Sequence, residues 1–152
     1  MQNLNYKYLF FYFLIFPLTA SPSQNKIKIA LGGYDVVSYF TENKAAPGKE
    51  KFSFKYRDRK WLFSSSNHLE LFKNNPEKYI PAYGGYCAWA AGERNRLYPG
   101  DPNIFLIYKN KLYMNNNPAV HKKWLLDKDS LIKKADEFWK TTDGSITSKL
   151  ND

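Results

Sequence analysis

Two β-hairpin patterns, each followed by a helical pattern, constrain the fold of this chain more than any other feature. Phe52, Phe54 and Tyr56 alternate with polar residues, which is the period of a strand with one buried face. After the polar turn "RDRK", Trp61 and Phe63 repeat the alternation. A second pair of β-rich runs, "NIFLIY" and "LYMNN", flanks the polar turn "KNK". The sequence therefore predicts an α+β fold with antiparallel pairing.

Helix-capping residues mark where the helices begin and end. The run "SSNHLELFKNNPEKY" predicts a helix that Ser65 or Ser66 caps and that ends before Pro76. "CAWAA" predicts a short buried helix, and "NPAVHKKWLLDKDSLIKKADEFWK" predicts helices that start after Asn117 and break at "DKDS". We expect a small single domain with two antiparallel β-hairpins, several short helices and C-terminal helices. The hairpins are similar in plan, but no internal repeat is evident.

The N-terminal segment has the layout of a secretory signal peptide. Lys7 precedes an apolar run that ends at Phe16, and small residues follow. The run is shorter than the roughly 20 residues that a membrane span needs, although an uncleaved anchor is the alternative. The predicted divisions are a signal peptide over residues 1–20, an extended tether over 21–32, a domain over 33–140 and a disordered tail over 141–152. We therefore expect an exported protein, periplasmic or secreted, without a stable membrane span after cleavage.

The chain carries a net charge of +9 that is spread over many short runs. "RDRK", "KNK", "HKK" and "IKK" lie far apart, which is typical of solvated lysines on amphipathic elements. Binding to an anionic surface or an acidic polymer is the alternative interpretation. We expect no nucleic-acid partner, because no recognition motif is present and a signal peptide argues against access to nucleic acid.

The chain has one cysteine, so an intramolecular disulfide is excluded. Cys87 lies in "YGGYCAWAAG", between paired glycines and a tryptophan. Four roles stay open: a small apolar core residue, a metal ligand, a reactive thiol, or one half of an intermolecular disulfide. A thiol near the start of a helix is activated by the helix dipole. However, the sequence places no Asn or Asp to orient a base, so we do not predict an enzyme.

A transition-metal site could be built from ligands that lie far apart in the sequence. Cys87, His68 and His121 would supply a thiolate and two imidazoles, a set that suits copper or zinc. Met114 is a further soft ligand, but its alternation along the strand favours a place in the core. The ordinary alternative is an exposed or backbone-bonded His68 and a His121 on the surface of an amphipathic helix.

Aromatic side chains surround the cysteine in the sequence. Tyr83, Tyr86 and Trp89 flank it at short spacing and could line a site for a small ligand. The charged loop that follows could form the mouth of such a site.

The stretch "GGYDVVSYFTENKAAPGKEKFSFKYRDRKWLFSSSNHLELFKNNPEKYIPAYGGYCAWA" resembles the YHS domain family in its exported, stand-alone branch. The continuation "DPNIFLIYKNKLYMNNNPAVHKKWLLDKDSLIKKADEFW" extends the resemblance from about Gly33 to Trp139. It implies kinship with treble-clef-like metal-binding modules, whose cysteines lie at the end of the second strand and the start of the next helix. Ser64 and Asn67 stand at those places, and a hydroxyl and an amide are poor ligands for zinc or copper(I). The resemblance therefore implies that the ancestral metal site is lost.

Three functions follow from these patterns. The first is a binding module for a transition metal or a small ligand near Cys87. The second is a non-catalytic structural or partner-binding domain that has lost the metal site of the family. The third and least favoured is a thiol-dependent enzyme.

Overall fold

The structure is a computed structural model that describes residues 27–149, with side chains as far as Thr142. The predicted signal peptide and residues 21–26 of the predicted tether lie outside the described residues. Within the described range the chain forms a small α+β domain, so the predicted fold class is confirmed. No helix in that range combines the length and the apolar character that crossing a bilayer requires.

Short elements alternate along the chain. The first part contains β1 (Lys28–Ile29), a 3₁₀ turn (Ala30–Gly33), α1 (Ser38–Thr41), β2 (Lys49–Tyr56), β3 (Arg59–Phe63), α2 (Ser66–Asn74) and α3 (Pro76–Tyr79). The second part contains a 3₁₀ turn (Ala82–Gly85), α4 (Ala88–Arg94), β4 (Asp101–Tyr108), β5 (Lys111–Asn115), α5 (Pro118–Leu126) and α6 (Lys128–Lys149). The first sheet has the order β1-β3-β2, with β1 parallel to β3, and the second is the antiparallel hairpin β4-β5.

The predicted helix boundaries are confirmed where a capping side chain sets them. Ser65 Oγ accepts a hydrogen bond from the backbone N–H of His68 at 3.2 Å, at the start of α2. Asn117 Oδ1 accepts from the backbone N–H of Val120 at 2.9 Å, at the start of α5. The predicted break in the C-terminal helices lies at Asp127, between α5 and α6. Side chains that satisfy the first free N–H groups of a helix thus make its start readable from sequence.

The predicted extended tether over residues 21–32 is wrong for residues 28–32. Lys28 and Ile29 pair with Arg59 and Lys60 of β3, and Ala30 is buried. A strand of two residues has no periodicity of its own, because the neighbouring strand supplies its hydrogen bonds. The sequence pattern therefore could not separate it from a tether.

The predicted disordered tail over 141–152 is helical through Lys149. The Thr141 hydroxyl donates to the carbonyl oxygen of Phe138 at 2.7 Å, and the Thr142 hydroxyl donates to the same oxygen at 3.1 Å. These hydroxyls bond back to a carbonyl oxygen of the preceding turn, as Thr side chains within a helix can do. Residues 150–152 lie outside the described residues.

Two structural units of similar plan follow one another in the chain, which the sequence did not reveal. The first unit comprises residues 30–79 and the second 82–131, with equivalent positions 52 residues apart, as Leu31 is from Tyr83. Strand β2 matches β4, β3 matches β5 and α2 matches α5 in length. Both hairpins have a register shift at the same place, before Ser53 and before Phe105. The expectation of no internal repeat is therefore wrong.

An unusual turn opens each unit. Leu31, Gly32 and Gly33 have φ of 48°, 60° and 88°, and the equivalent residues Tyr83, Gly84 and Gly85 have φ of 53°, 61° and 86°. Glycine adopts this left-handed region at little cost, which explains why both turns carry the pair "GG". The same turn therefore recurs with the same backbone in both units.

Equivalent side chains also make equivalent contacts. The Tyr56 hydroxyl donates to Glu77 Oε1 at 2.6 Å in the first unit. The Tyr108 hydroxyl donates to Asp129 Oδ1 at 2.9 Å in the second. Each bond joins the end of a hairpin strand to the helix that follows α2 or α5, so the two units share tertiary contacts as well as backbone.

Each unit has its own apolar core, and a third cluster joins the units. Phe72 is the fully buried centre of the first core, and Trp124 holds the equivalent position in the second. The joining cluster is Tyr39, Leu112 and Met114. The Tyr39 hydroxyl donates to a carbonyl oxygen of the second unit, that of Pro102, at 2.9 Å. The two units therefore pack as one domain.

Candidate functional site

The residue after each "GGY" turn is fully buried and carries an ionisable side chain. Asp35 holds this position in the first unit and Cys87 in the second. The backbone N–H of Asp35 donates to the carbonyl oxygen of Ala46 at 2.8 Å, and that of Cys87 donates to the carbonyl oxygen of Tyr98 at 2.8 Å. The fold thus presents the same place twice, once with a carboxylate and once with a thiol.

In the first unit, Asp35, Ser64 and His68 form the Asp35 cluster. Asp35 Oδ2 accepts from the backbone N–H and the hydroxyl of Ser64, at 2.8 and 2.7 Å. It also lies 2.7 Å from His68 Nδ1, which must be the donor if the carboxylate is ionised. Oδ1 accepts from the backbone N–H of Val37 at 2.9 Å. The buried carboxylate thus ties α1, the end of β3 and the start of α2 together.

The ordinary alternative for His68, an exposed or backbone-bonded ring, is wrong. Its ring is buried, and its ring nitrogens face side chains. Nε2 lies 3.3 Å from Thr41 Oγ1 and 3.5 Å from Glu42 Oε1. The cap at Ser65 starts α2 so that His68 faces inward. Its ring contacts the carboxylate of Asp35, which lies 33 residues earlier in the sequence. A partner so distant in sequence leaves no local pattern.

The two positions singled out by the family resemblance have different environments. Ser64 belongs to the Asp35 cluster, whereas Asn67 is exposed. The side chain that reaches the cluster from the start of α2 is that of His68, one residue later.

In the second unit, Cys87, Asn115, Asn116 and His121 form the Cys87 cluster. Cys87 Sγ donates to Asn115 Oδ1 at 3.6 Å and lies 3.8 Å from Asn116 Oδ1. The backbone N–H of Trp89 donates to Asn115 Oδ1 at 3.4 Å, which fixes the orientation of the amide. Asn115 Nδ2 therefore donates to His121 Nδ1 at 3.2 Å, so the ring carries its proton on Nε2.

The amide of Asn115 lies between the thiol and the imidazole. A thiol-dependent enzyme needs a base that takes the proton from sulfur. Here the partners of Sγ are amide oxygens, which suit a protonated thiol, and the ring contacts the far side of the amide. The arrangement does not favour thiol catalysis.

The three predicted metal ligands do not come together. Cys87 and His121 belong to one cluster, but His68 belongs to the other unit. From residue 27 to 149, no three or more His, Cys, Asp and Glu side chains are grouped so that they could hold a metal ion. Met114 is fully buried in the cluster that joins the units, as its alternation predicts.

Of the three predicted ligand-binding aromatics, Tyr83 is a core residue. It is buried, and its hydroxyl donates to Asp136 Oδ1 at 2.8 Å. Burial, with this hydrogen bond, raises the pKa of the Tyr83 hydroxyl well above its ordinary value. Tyr83 lies close to Cys87 in the sequence, but that closeness does not predict that its side chain packs against α6.

Trp89 and Tyr86 are half-buried, and Trp89 lies beside two cations. The Arg94 guanidinium is 5.4 Å from the centroid of the indole, and Lys123 Nζ is 5.9 Å from it. Because its backbone also bonds to Asn115, Trp89 connects the Cys87 cluster to the surface.

The Cys87 cluster is expected to weaken the fold in acid through His121. Burial lowers the pKa of the His121 imidazole below its ordinary value of 6.5. The unfolded chain therefore binds this proton more tightly than the folded chain. The contribution of the neutral ring to the free energy of unfolding is complete above about pH 6.5. It is lost as the pH falls through the lower pKa of the ring in the folded chain. Denaturant unfolding on both sides of this window measures it.

The matched variant for this test is His121→Gln, whose amide oxygen can still accept from Asn115. The difference between wild type and variant isolates His121 from His68, which both proteins keep. Unfolding curves with the same pH dependence in both proteins would contradict the prediction.

Several residues of the two clusters escaped sequence reasoning as site residues. Asp35 follows the turn that opens the first unit and Asn115 ends β5, and neither place in the sequence indicates a site. The one available signal was the recurrence of "GGY" before Asp35 and before Cys87.

Searches of protein-family models, curated proteins and solved structures each found no match to this chain. The two clusters therefore carry the functional argument.

Proposed function

We propose that this protein is an exported, non-enzymatic binding module of the YHS type and that the Cys87 cluster binds copper(I). The observation that carries the proposal is the buried amide of Asn115. The equivalent position in the first unit holds Phe63, also fully buried, so the fold does not require a polar group there. Burying an amide is costly unless its hydrogen bonds are made. Asn115 makes them to Cys87 on one side and to His121 on the other, so a thiol and an imidazole both face this one buried amide.

The donor set favours copper(I) over zinc. Zinc takes four protein ligands in structural sites and three in catalytic sites. Copper(I) is selected by soft sulfur and imidazole donors and is stable with fewer of them. Cys87 Sγ would hold the ion, a His121 ring nitrogen would become the second ligand once the amide of Asn115 turns aside, and the thiol would lose its proton on binding. Asn115 would act as a positioning residue for both.

The test is anaerobic titration of copper(I), in competition with a chromophoric chelator, into the untagged chain from Ser21 onward. We expect one copper(I) ion per chain and no stoichiometric zinc. Cys87→Ser should abolish binding. Asn115→Phe, which installs the first-unit residue, should weaken it by about 10- to 100-fold while the protein stays folded.

His68→Gln is the control, because it removes the imidazole of the other unit. It should leave the copper(I) stoichiometry unchanged, with folding checked by thermal unfolding. Stoichiometric binding that survives Cys87→Ser would overturn the proposed site.

A specific observation favours a second candidate, a non-catalytic structural or partner-binding domain. Hydrogen bonds fully occupy the carboxylate of Asp35, at the position equivalent to Cys87. That position therefore also suits a purely structural contact. Absence of copper(I) binding, with Cys87→Ser merely less stable, would select this candidate.

A further inference from the structure

Helix α5 leaves two leucines in solvent at its C-terminal end. Leu125 is 40% exposed and Leu126 is 84% exposed, although Trp124 beside them is fully buried. The equivalent residues at the end of α2 are Lys73 and Asn74. The shared fold therefore accepts polar residues at both places, and packing does not explain the leucines.

Two lysines lie close to these leucines on α5, and a third cation lies near one of these lysines. Lys122 and Lys123 lie one turn earlier on the same helix and are exposed. The Nζ of Lys123 and the guanidinium of Arg94 both lie near the ring of Trp89. None of these three cations has a carboxylate partner among the described residues. We call the surface formed by Leu125, Leu126, Lys122, Lys123, Trp89 and Arg94 the α5 patch.

We propose that the α5 patch binds the surface of an anionic lipid bilayer. Aliphatic side chains that project beside lysines fit the boundary between acyl chains and headgroups. The cations match anionic headgroups, and a half-exposed tryptophan is suited to the same interface. The proposal concerns a peripheral contact and does not depend on the copper(I) site.

Charge argues against a second copy of this chain as the occupant. Symmetric pairing would place the cations of one α5 patch against those of the other. Such like-charge contacts are repulsive, and the net charge of +9 adds to the repulsion.

The test is flotation of the untagged chain from Ser21 onward with vesicles of phosphatidylcholine alone or of phosphatidylcholine mixed with phosphatidylglycerol. We expect binding to the mixed vesicles only, weakened by added salt. Leu125→Lys with Leu126→Asn installs the first-unit residues and should weaken binding by about tenfold or more with unchanged thermal unfolding. The control Ile29→Lys alters an exposed isoleucine outside the α5 patch and should bind like wild type.

Lys122→Gln with Lys123→Gln should reduce both the binding and its dependence on salt. Three results would overturn the proposal: no binding to the mixed vesicles, equal binding by the double leucine variant, or equal binding to both kinds of vesicle. Dimerisation that the double leucine variant abolishes, without vesicle binding, would assign the patch to a second copy instead.

Discussion

Trp124→Ala is expected to lower the free energy of unfolding by about 3–5 kcal/mol, the range for removing a large buried aromatic side chain. Trp124 is fully buried at the centre of the second core, with the ring centroid of Tyr113 at 5.5 Å and that of His121 at 6.0 Å. Its indole N–H has no hydrogen-bond partner among the described residues. The loss therefore comes from packing and from the cavity left behind. Denaturant unfolding measures it.

The two-unit architecture supplies matched variants. Phe72→Ala empties the equivalent position of the first core and should cost a similar amount. Trp124→Phe installs the first-unit side chain, removes the unpaired N–H and should cost less than Trp124→Ala. An unfolding curve for Trp124→Ala that matches wild type would show that this side chain is not the centre of a core.

Asp35→Ala is expected to lower the free energy of unfolding by about 3–5 kcal/mol, because it removes the common acceptor of a buried hydrogen-bond network. The change leaves four donors without their acceptor: the backbone N–H groups of Val37 and Ser64, the Ser64 hydroxyl and His68 Nδ1. Each unpaired buried donor keeps the cost of leaving water. Chemical denaturation measures this loss as well.

Asp58→Ala is the control for Asp35→Ala. Asp58 is an exposed carboxylate in the turn of the first hairpin, and its loss should change stability by less than about 0.5 kcal/mol. Equal effects of the two substitutions would contradict the structural role of Asp35.

Local patterns predicted the elements of this fold correctly where one segment determines its own structure. The alternation of Phe52 and Phe54 gave the first hairpin, and the caps at Ser65 and Asn117 gave the starts of α2 and α5. Strand β1 was missed because its two residues depend on β3 for hydrogen bonds.

The repeat was hidden because equivalent positions at the centres of the two cores stay buried but change their residue. Phe72 corresponds to Trp124, and Trp61 corresponds to Tyr113. Within the two units, the identities are confined to Ala30/Ala82, Gly32/Gly84, Gly33/Gly85, Tyr34/Tyr86, Asn43/Asn95, Pro47/Pro99, Gly48/Gly100 and Tyr56/Tyr108. Several of these lie at turns, where backbone geometry restricts the residue more than packing does.

The candidate site was predictable only in part. Cys87 was singled out because it is the one thiol, and His121 because it is one of two histidines. Asn115 gave no signal, since a polar residue at the end of a strand is ordinary. The pairing of His68 with Asp35 depends on the packing of α2 against the first turn, which no sequence spacing encodes.

The cluster of Tyr39, Leu112 and Met114 between the units has a consequence for how such a chain could arise. Two copies of a half-sized ancestor, fused in tandem, would pack through a one-sided contact of this kind, since Tyr39 corresponds to Ala91 and Leu112 to Lys60. Fusion frees each copy to change without altering the other. One buried position could then take a carboxylate that hydrogen bonds hold in place, Asp35, while the equivalent position kept a thiol, Cys87. On this view the chain joins two copies of one ancestral unit, and the difference between Asp35 and Cys87 arose after the fusion.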